Sequence, residues 1–206
     1  MSFWFDTMVD MKTEPIYQYL ERMANLLRTD TRRSMVEKGL QPVQLEALHY
    51  LSQCNRYSNT PAAVADFLGL TKGTVSQTLG LLENVGMIEK LPDHKDRRVV
   101  HLQVTPRGKK LVAETLPPKS LQTALEQMPE SEQYSILMAL DKLLRAMQMT
   151  NGLRTFGVCQ TCRHHRIEQG DQHRCGLTGE ALQGEAITQI CREHENPELT
   201  ALTPEN

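Results

Sequence analysis

Residues 60–86 read TPAAVADFLGLTKGTVSQTLGLLENVG, and this stretch decides the fold. At a helix start, the Thr60 hydroxyl can accept from a free backbone N–H, while Pro61 has no N–H to leave unpaired in the first turn. The spacing therefore predicts a helix over 62–68, stopped by Gly69. Thr71 opens a second helix in the same way; it runs to about Val85 and ends at Gly86. In it Val75, Leu79 and Leu82 recur at i, i+4 and i+7, so they share one face and are expected in the core. Two short helices around a tight glycine turn make a helix-turn-helix pattern, here over 60–86.

The next residues extend this unit. Met87 to Leu91 predicts a short strand, Pro92 to Arg98 a charged turn, and Val99 to Val104 a returning strand with Val100, Leu102 and Val104 on one side. Together, 87–104 predict a wing. Its tip, Asp93-His94-Lys95-Asp96-Arg97-Arg98, carries the cations Lys95, Arg97 and Arg98, which suit phosphates or a minor groove. Asp93 or Asp96 is expected to hold an arginine head by bidentate pairing. On the helix from Thr71, the residues Thr71, Lys72, Thr74, Ser76 and Gln77 fall away from the apolar face, near its start, with no acid among them. That suits the first turns of a helix laid against base edges in a major groove. A solvated surface would read the same way; the wing directly behind it tips the balance.

On the N-terminal side, Ile16, Tyr19, Leu20, Met23, Leu26 and Leu27 predict a long helix over 14–38, and Pro42 opens another to about Cys54. Asn55 to Asn59 is a polar connector. After the wing, Thr105-Pro106 starts a helix to about Leu116, Pro117-Pro118 breaks it, and further helices are expected over 121–127 and 131–149, ending at Asn151-Gly152.

The chain has 206 residues and a formal net charge of −2, unevenly spread. Residues 60–110 carry eight Lys and Arg against five Asp and Glu, whereas residues 159–206 carry four against eight. No apolar run approaches the roughly 18 residues of a membrane span. Met1 to Asp10 has no basic segment followed by a long apolar one, so a cytoplasmic location is expected. No Ser/His/Asp arrangement, phosphate-binding glycine loop or carboxylate pair argues for an enzyme.

Four of the five cysteines follow the spacing Cys159-x2-Cys162-x12-Cys175-x15-Cys191. In a reducing compartment disulfides are not expected, and no βαβ pattern surrounds the CxxC as a redox motif would require. Four clustered thiols with one close pair predict metal ligation. Zinc sites often use two close pairs, and here the second pair is split. The layout instead resembles that of high-potential iron–sulfur proteins, with one CxxC, two single cysteines and a glycine-containing loop over 175–182. That resemblance favours a [4Fe-4S] cluster, with Zn2+ as the alternative. His164, His165, His173 and His194 lie close by in sequence; Cys54 reads as a buried small residue at a helix end.

Leu68-Gly69-Leu70-Thr71-Lys72-Gly73-Thr74-Val75-Ser76, Leu81-Leu82-Glu83, Gly86-Met87-Ile88 and Thr105-x-x-Gly108 resemble the MarR-type winged-helix regulators. The wing matches their Asp-x-Arg-Asp-x-Arg pattern, with Lys95 in the first Arg place. The resemblance covers about residues 14–150. It implies a homodimer held by helices from both ends of that region, a pseudo-palindromic double-stranded DNA operator, and, as in many members, a small aromatic effector or an oxidant. It also implies major-groove contacts from Thr71, Lys72, Thr74, Ser76 and Gln77, and minor-groove entry by Arg98 steadied by Asp96. The expected fold is mainly α with a small β-wing: a winged helix-turn-helix with a helical dimerisation region over 1–150 and a small Cys-rich metal module over 151–206. The expected function is a dimeric repressor whose metal centre senses redox, oxygen or iron. Two alternatives stand beside it: a ligand-responsive regulator with a structural zinc, and an iron–sulfur electron carrier.

Overall fold

The computed structural model describes residues 3–36, 38–94, 96–150, 154–170 and 172–197, and backbone only for 3–11. The wing cation Lys95 and the helix stop at Asn151-Gly152 lie outside the described residues. The helices are α1 (Phe3–Val36), α2 (Pro42–Gln53), α3 (Pro61–Leu68), α4 (Lys72–Asn84), α5 (Pro106–Thr115), α6 (Lys119–Glu126) and α7 (Glu130–Thr150). The strands are β1 (Ile88–Pro92), β2 (Val100–Val104), β3 (His165–Glu168), β4 (Gln172–Cys175) and β5 (Ala181–Leu182). No helix among the described residues is long and apolar enough to cross a membrane.

Two compact units divide the chain. One holds α1 and α6; the other holds α2 to α4, the wing, α7 and the cysteine-bearing residues, and α5 divides between the two. In the second unit Leu45, Leu48, Tyr50, Val64, Val75, Leu79, Leu82, Ile88 and Leu102 are at most 1% exposed and form the core. The expected apolar face of α4 is thus the buried one. Both caps form: Thr60 Oγ1 accepts from Ala63 N at 3.3 Å and Thr71 Oγ1 from Thr74 N at 3.2 Å. Gly69 closes α3 at φ +64, a conformation that favours glycine.

The antiparallel wing pairs Ile88 with Val104 and Pro92 with Val100. Leu102 and Val104 are buried as their alternation predicts. The wing is tied to the following helix through Thr105, whose hydroxyl donates to Gly86 O at 2.8 Å and accepts from Gly108 N at 3.2 Å. Gly108 itself lies against Met87, just before β1, and Val104 of β2. A Cβ there would stand 2.8 Å from Val104 Cγ1 and closer still to the Met87 carbonyl oxygen. The Thr105-x-x-Gly108 pattern is a packing requirement.

The structure departs from expectation at two places. α1 starts at Phe3 and continues through Pro15, where the sequence suggests a start near residue 14. A proline removes one N–H from the ladder and costs a helix about 3 kcal/mol, but the turns on either side can still form. The second departure is the three-stranded antiparallel sheet β3-β4-β5, which the sequence does not announce. His165 to Glu168 and Gln172 to Cys175 have little apolar alternation to mark them as strands.

Gly108→Ala is expected to lower stability by about 1–3 kcal/mol in urea denaturation, as overpacking does. Gly80→Ala, inside α4 with nothing within 4 Å of the added carbon, should leave stability unchanged or raise it by up to about 1 kcal/mol.

Candidate nucleic-acid interface and cysteine centre

Thr71, Lys72, Thr74, Ser76 and Gln77 are all exposed on the first turns of α4, while Val75 between them is buried. Thr71 Oγ1 is already committed as the cap and also meets Thr74 Oγ1 at 3.0 Å, so Lys72, Ser76 and Gln77 have the freer side chains. A groove lined by Pro61, Ala62, Lys72, Ser76 and Lys90 runs beside them.

In the wing, the carboxylates do not hold the arginine heads as expected. Asp93 Oδ1 accepts from Asp96 N at 2.8 Å, and Asp96 Oδ1 accepts from Arg98 N at 2.9 Å. Short aspartates in a tight turn reach backbone N–H groups before they reach a long guanidinium. Asp96 therefore steadies the Arg98 backbone. The guanidinium groups of Arg97 and Arg98, both exposed, have no ion-pair partner among the described residues.

Cys159, Cys162, Cys175 and Cys191 line one cavity of about 100 Å³, together with Asn55, Tyr57, His164, Leu177 and Leu182. The chain's turns bring them there. Cys162 N donates to Cys159 O, and Gly179, at φ +74, donates its N–H to Cys175 O to close the loop after β4. Cys191 N donates to Gly157 O at 2.9 Å. No cysteine is in a disulfide. Among the described residues no group of three His, Cys, Asp or Glu side chains is placed to hold a metal ion. The Cys191 thiol is pushed down mainly by its hydrogen bond with Cys159, which pushes Cys159 up. Cys54, outside the cavity, is buried; desolvation pushes its thiol up to about 12 and keeps it unreactive.

The histidines separate into distinct settings. His194 is buried between two hydroxyls, with Nδ1 2.6 Å from Thr155 Oγ1 and Nε2 3.0 Å from Thr161 Oγ1, and its burial lowers its pKa. Its ring lies on Gly157, where a Cβ would come within 2.6 Å. His165 and His173 stack with centroids 5.0 Å apart. His164 lines the cavity with a buried Nε2 that has no hydrogen-bond partner; Glu195 Oε1 is 3.2 Å away but out of line.

Sequence reasoning passed over the connector between α2 and α3, and it is here that the cysteines meet the reading head. Asn55 Nδ2 donates to Cys159 Sγ at 3.5 Å, and Asn55 Oδ1 accepts from Ser58 Oγ at 2.7 Å. Asn55 N donates to Ile190 O and Ile190 N to Gln53 O, both at 2.9 Å. Ser58 Oγ accepts from Arg192 N at 2.8 Å, and the Arg192 head pairs with Asp66 on α3 at 2.6 Å. One residue on, Asn59 O accepts from Leu102 N of β2 at 2.7 Å. Asn59 Oδ1 meets His101 Nδ1 at 2.6 Å, and His101 Nε2 faces Asp93 Oδ2 at the wing tip, 3.1 Å away. Two runs of polar contacts, one from a cysteine sulfur to Ser58 and one from Asn59 to the wing turn, thus meet at the Ser58–Asn59 peptide. The only sequence signal was the polarity of 55–59.

Comparison with known proteins supports the winged-helix part of this architecture. Residues 38–99 match the MarR family model, which spans α2, both helices of the helix-turn-helix and the first half of the wing. Over these residues the chain is similar to the MarR-family winged helix. The transcriptional repressor MprA of Escherichia coli K12 is 28% identical over 97 residues, covering 47% of this chain and 55% of its own length. The chain thus spans about half the length of the curated relatives it matches. The solved MepR–DNA complex of S. aureus is 27% identical with a TM-score of 0.53, covering 63% of this chain and 97% of that one. A MarR transcriptional regulator from Methanosarcina mazei Go1, 18% identical with a TM-score of 0.58 over 67% of this chain and 99% of its own, shares the fold. The Escherichia coli relative is named as a transcriptional repressor and the Methanosarcina one as a transcriptional regulator, and the MarR family is not enzymatic. The MarR match ends before the first cysteine of the quartet.

Asn55→Ala is expected to cost about 1–3 kcal/mol, because it strands the buried Ser58 hydroxyl and the Tyr57 N–H that the Asn55 oxygen serves. Denaturant titration checks this, with the exposed Asn25→Ala as a near-neutral control.

Proposed function

We propose that the protein is a homodimeric, sequence-specific DNA-binding transcription regulator of the repressor kind, and that its cysteine centre tunes DNA binding to redox, oxygen or iron. The DNA-binding half is carried by one observation: a polar, acid-free helix start on α4 stands beside a wing whose Arg97 and Arg98 guanidiniums have no ion-pair partner among the described residues. Unpaired arginines on a hairpin suit phosphate oxygens and a narrow minor groove, while Lys72, Ser76 and Gln77 suit base edges. The S. aureus relative solved as a DNA complex uses the same fold.

Dimerisation is supported by apolar side chains left in solvent. α1 exposes Ile16, Tyr19, Met23 and Leu26, and α7 exposes Leu137, Leu140, Leu144 and Met147. Stripes of this kind on long helices mark partner surfaces. A two-fold dimer would place two reading heads about 34–36 Å apart, one turn of DNA.

The regulatory half rests on the shared connector. A change at the cysteines acts on Asn55, and the same seven-residue segment holds Thr60, the cap of α3, and Asn59, the anchor of β2. Stripping the centre therefore loosens both parts of the reading head at once.

The purified protein is expected to shift a fragment of its own upstream DNA, with affinity falling steeply as salt rises. Arg98→Ala should weaken binding and reduce the slope of log affinity against log salt by about 1. A salt-independent interaction, or none, would count against the reading. Asn59→Ala should still bind DNA in the metal-loaded state, yet lose most of the loaded-to-stripped difference seen in the parent protein, a difference of about tenfold for an ordinary coupling.

A further inference from the structure

We propose that His101 is the positioning residue of the wing: its ring, held between Asn59 and Asp93, aims the turn that carries Arg97 and Arg98. The proposal rests on the reading of that turn as a DNA contact. Neither guanidinium has an ion-pair partner among the described residues, so no ion pair there orients them. Their aim is set by the backbone of the turn, which hydrogen bonds close in series. Asp93 N donates to Val99 O and Val99 N to Asp96 O, each at 2.9 Å. Asp96 N donates to Asp93 Oδ1 at 2.8 Å, and Arg98 N to Asp96 Oδ1 at 2.9 Å. These two carboxylate bonds are exposed, where water competes for both partners and the net gain from each is small.

His101 ties this series to the body of the protein. It lies on β2 opposite Leu91 of β1, on the strand face away from the buried Leu102 and Val104. Gln103, on the same face, is exposed, but the His101 side chain is only 26% exposed. Its Nε2 faces Asp93 Oδ2 at 3.1 Å and its Nδ1 faces Asn59 Oδ1 at 2.6 Å. The carboxylate that holds Asp96 N by one oxygen is thus itself held by the other. Asn59 is anchored in turn: its carbonyl accepts from Leu102 N at 2.7 Å, and the next residue, Thr60, caps α3. A doubly protonated ring donates to both oxygens. A singly protonated ring gives its N–H to the carboxylate, the stronger acceptor, and a half-turn of the Asn59 amide presents an N–H to the other nitrogen. Either form keeps the Asp93 contact. An apolar side chain at 101 would release Asp93, leaving the turn its local bonds but not its bearing on the strands and helices. A binding constellation must be held to within about 0.5 Å of its productive geometry. A pair as exposed as His101–Asp93 adds little to global stability, so its loss is read as a loss of aim.

The full chain is to be compared with its His101→Leu and His101→Gln variants, first without DNA. Amide hydrogen exchange at Asp96 and Arg98 should quicken several-fold in His101→Leu, while exchange at Leu79 of α4 stays as in the parent. The same samples are then titrated with the upstream DNA fragment. His101→Leu should bind about tenfold more weakly, with the loss confined to base pairs under the wing. His101→Gln, which keeps an N–H donor for Asp93, should recover most of it. In a chain already carrying Arg97→Ala and Arg98→Ala, His101→Leu should cost nothing further, because there is no guanidinium left to aim. Unchanged exchange and affinity in a folded His101→Leu protein, or a tenfold loss that persists without the two arginines, overturns the inference. A parent chain that binds no DNA overturns the DNA reading instead, while quickened exchange in His101→Leu still upholds His101 as the holder of the turn.

Discussion

Asn55 and Ser58 are polar side chains with almost no access to water, and every hydrogen-bonding atom they bring inside must be met by protein. The partners come from opposite directions. Tyr50 of α2 donates its hydroxyl to Ser58 O at 2.8 Å, while Arg192 N reaches Ser58 Oγ from the cysteine-bearing residues. Cys159 takes the Asn55 amide. Each unpaired group would cost about 1–3 kcal/mol, so neither side can withdraw without penalty to the other. The cysteine residues are thus built into the core of the winged helix, and they share its compact unit.

Magnitudes show which contacts hold this arrangement. The ion pairs Arg192–Asp66, Arg154–Glu193 and Arg163–Glu195 are partly exposed, and pairs of that kind contribute about 0–1 kcal/mol each. The aromatic trio matters more. Phe156 meets Phe67 of α3 edge-on at 5.2 Å and Tyr50 at 6.0 Å, and Tyr50 and Phe67 stack at 4.4 Å. Phe156 sits at φ +45, a left-handed conformation that a bulky residue adopts only when its surroundings compensate the strain. The ring contacts provide that compensation, and the strained backbone delivers Gly157 and Val158 to the start of the CxxC turn.

What the sequence made legible was local. Thr60-Pro61, Gly69, Thr71 and Gly86 each act through neighbours a few residues away, so the helix-turn-helix could be drawn without coordinates. Thr105 and Gly108 were visible as a pattern, but their reason, the Met87 carbonyl, lies some twenty residues upstream. The cysteine quartet was legible by residue type, and the cavity gathers the same four residues. Its sheet was not legible, because β3 and β4 are polar strands set by pairing across a turn. Nor was the connector: Asn59 and His101 are 42 residues apart, and nothing local to either predicts the other. The roles expected of Asp93 and Asp96 erred for a related reason. Reach, not charge, chose the backbone N–H over the guanidinium.

Charge distribution reconciles a chain of net charge −2 with the proposed nucleic-acid partner. Screening limits exposed charges to a range of about 8 Å at physiological salt, so local pairing outweighs the total. Many acids of the cysteine-bearing residues are neutralised where they stand: Glu168 by Arg174, Glu180 by Arg56, Glu193 by Arg154 and Glu195 by Arg163. Four of the five acids between residues 60 and 110 are also engaged: Asp66 by Arg192, Glu83 by Lys90, and Asp93 and Asp96 within the wing turn. Lys72, Arg97 and Arg98 carry no such pairing among the described residues. A phosphate backbone brought to the α4 start and the wing would therefore meet Lys72, Arg97 and Arg98, while four of the eight acids between residues 159 and 206 pair with nearby arginines.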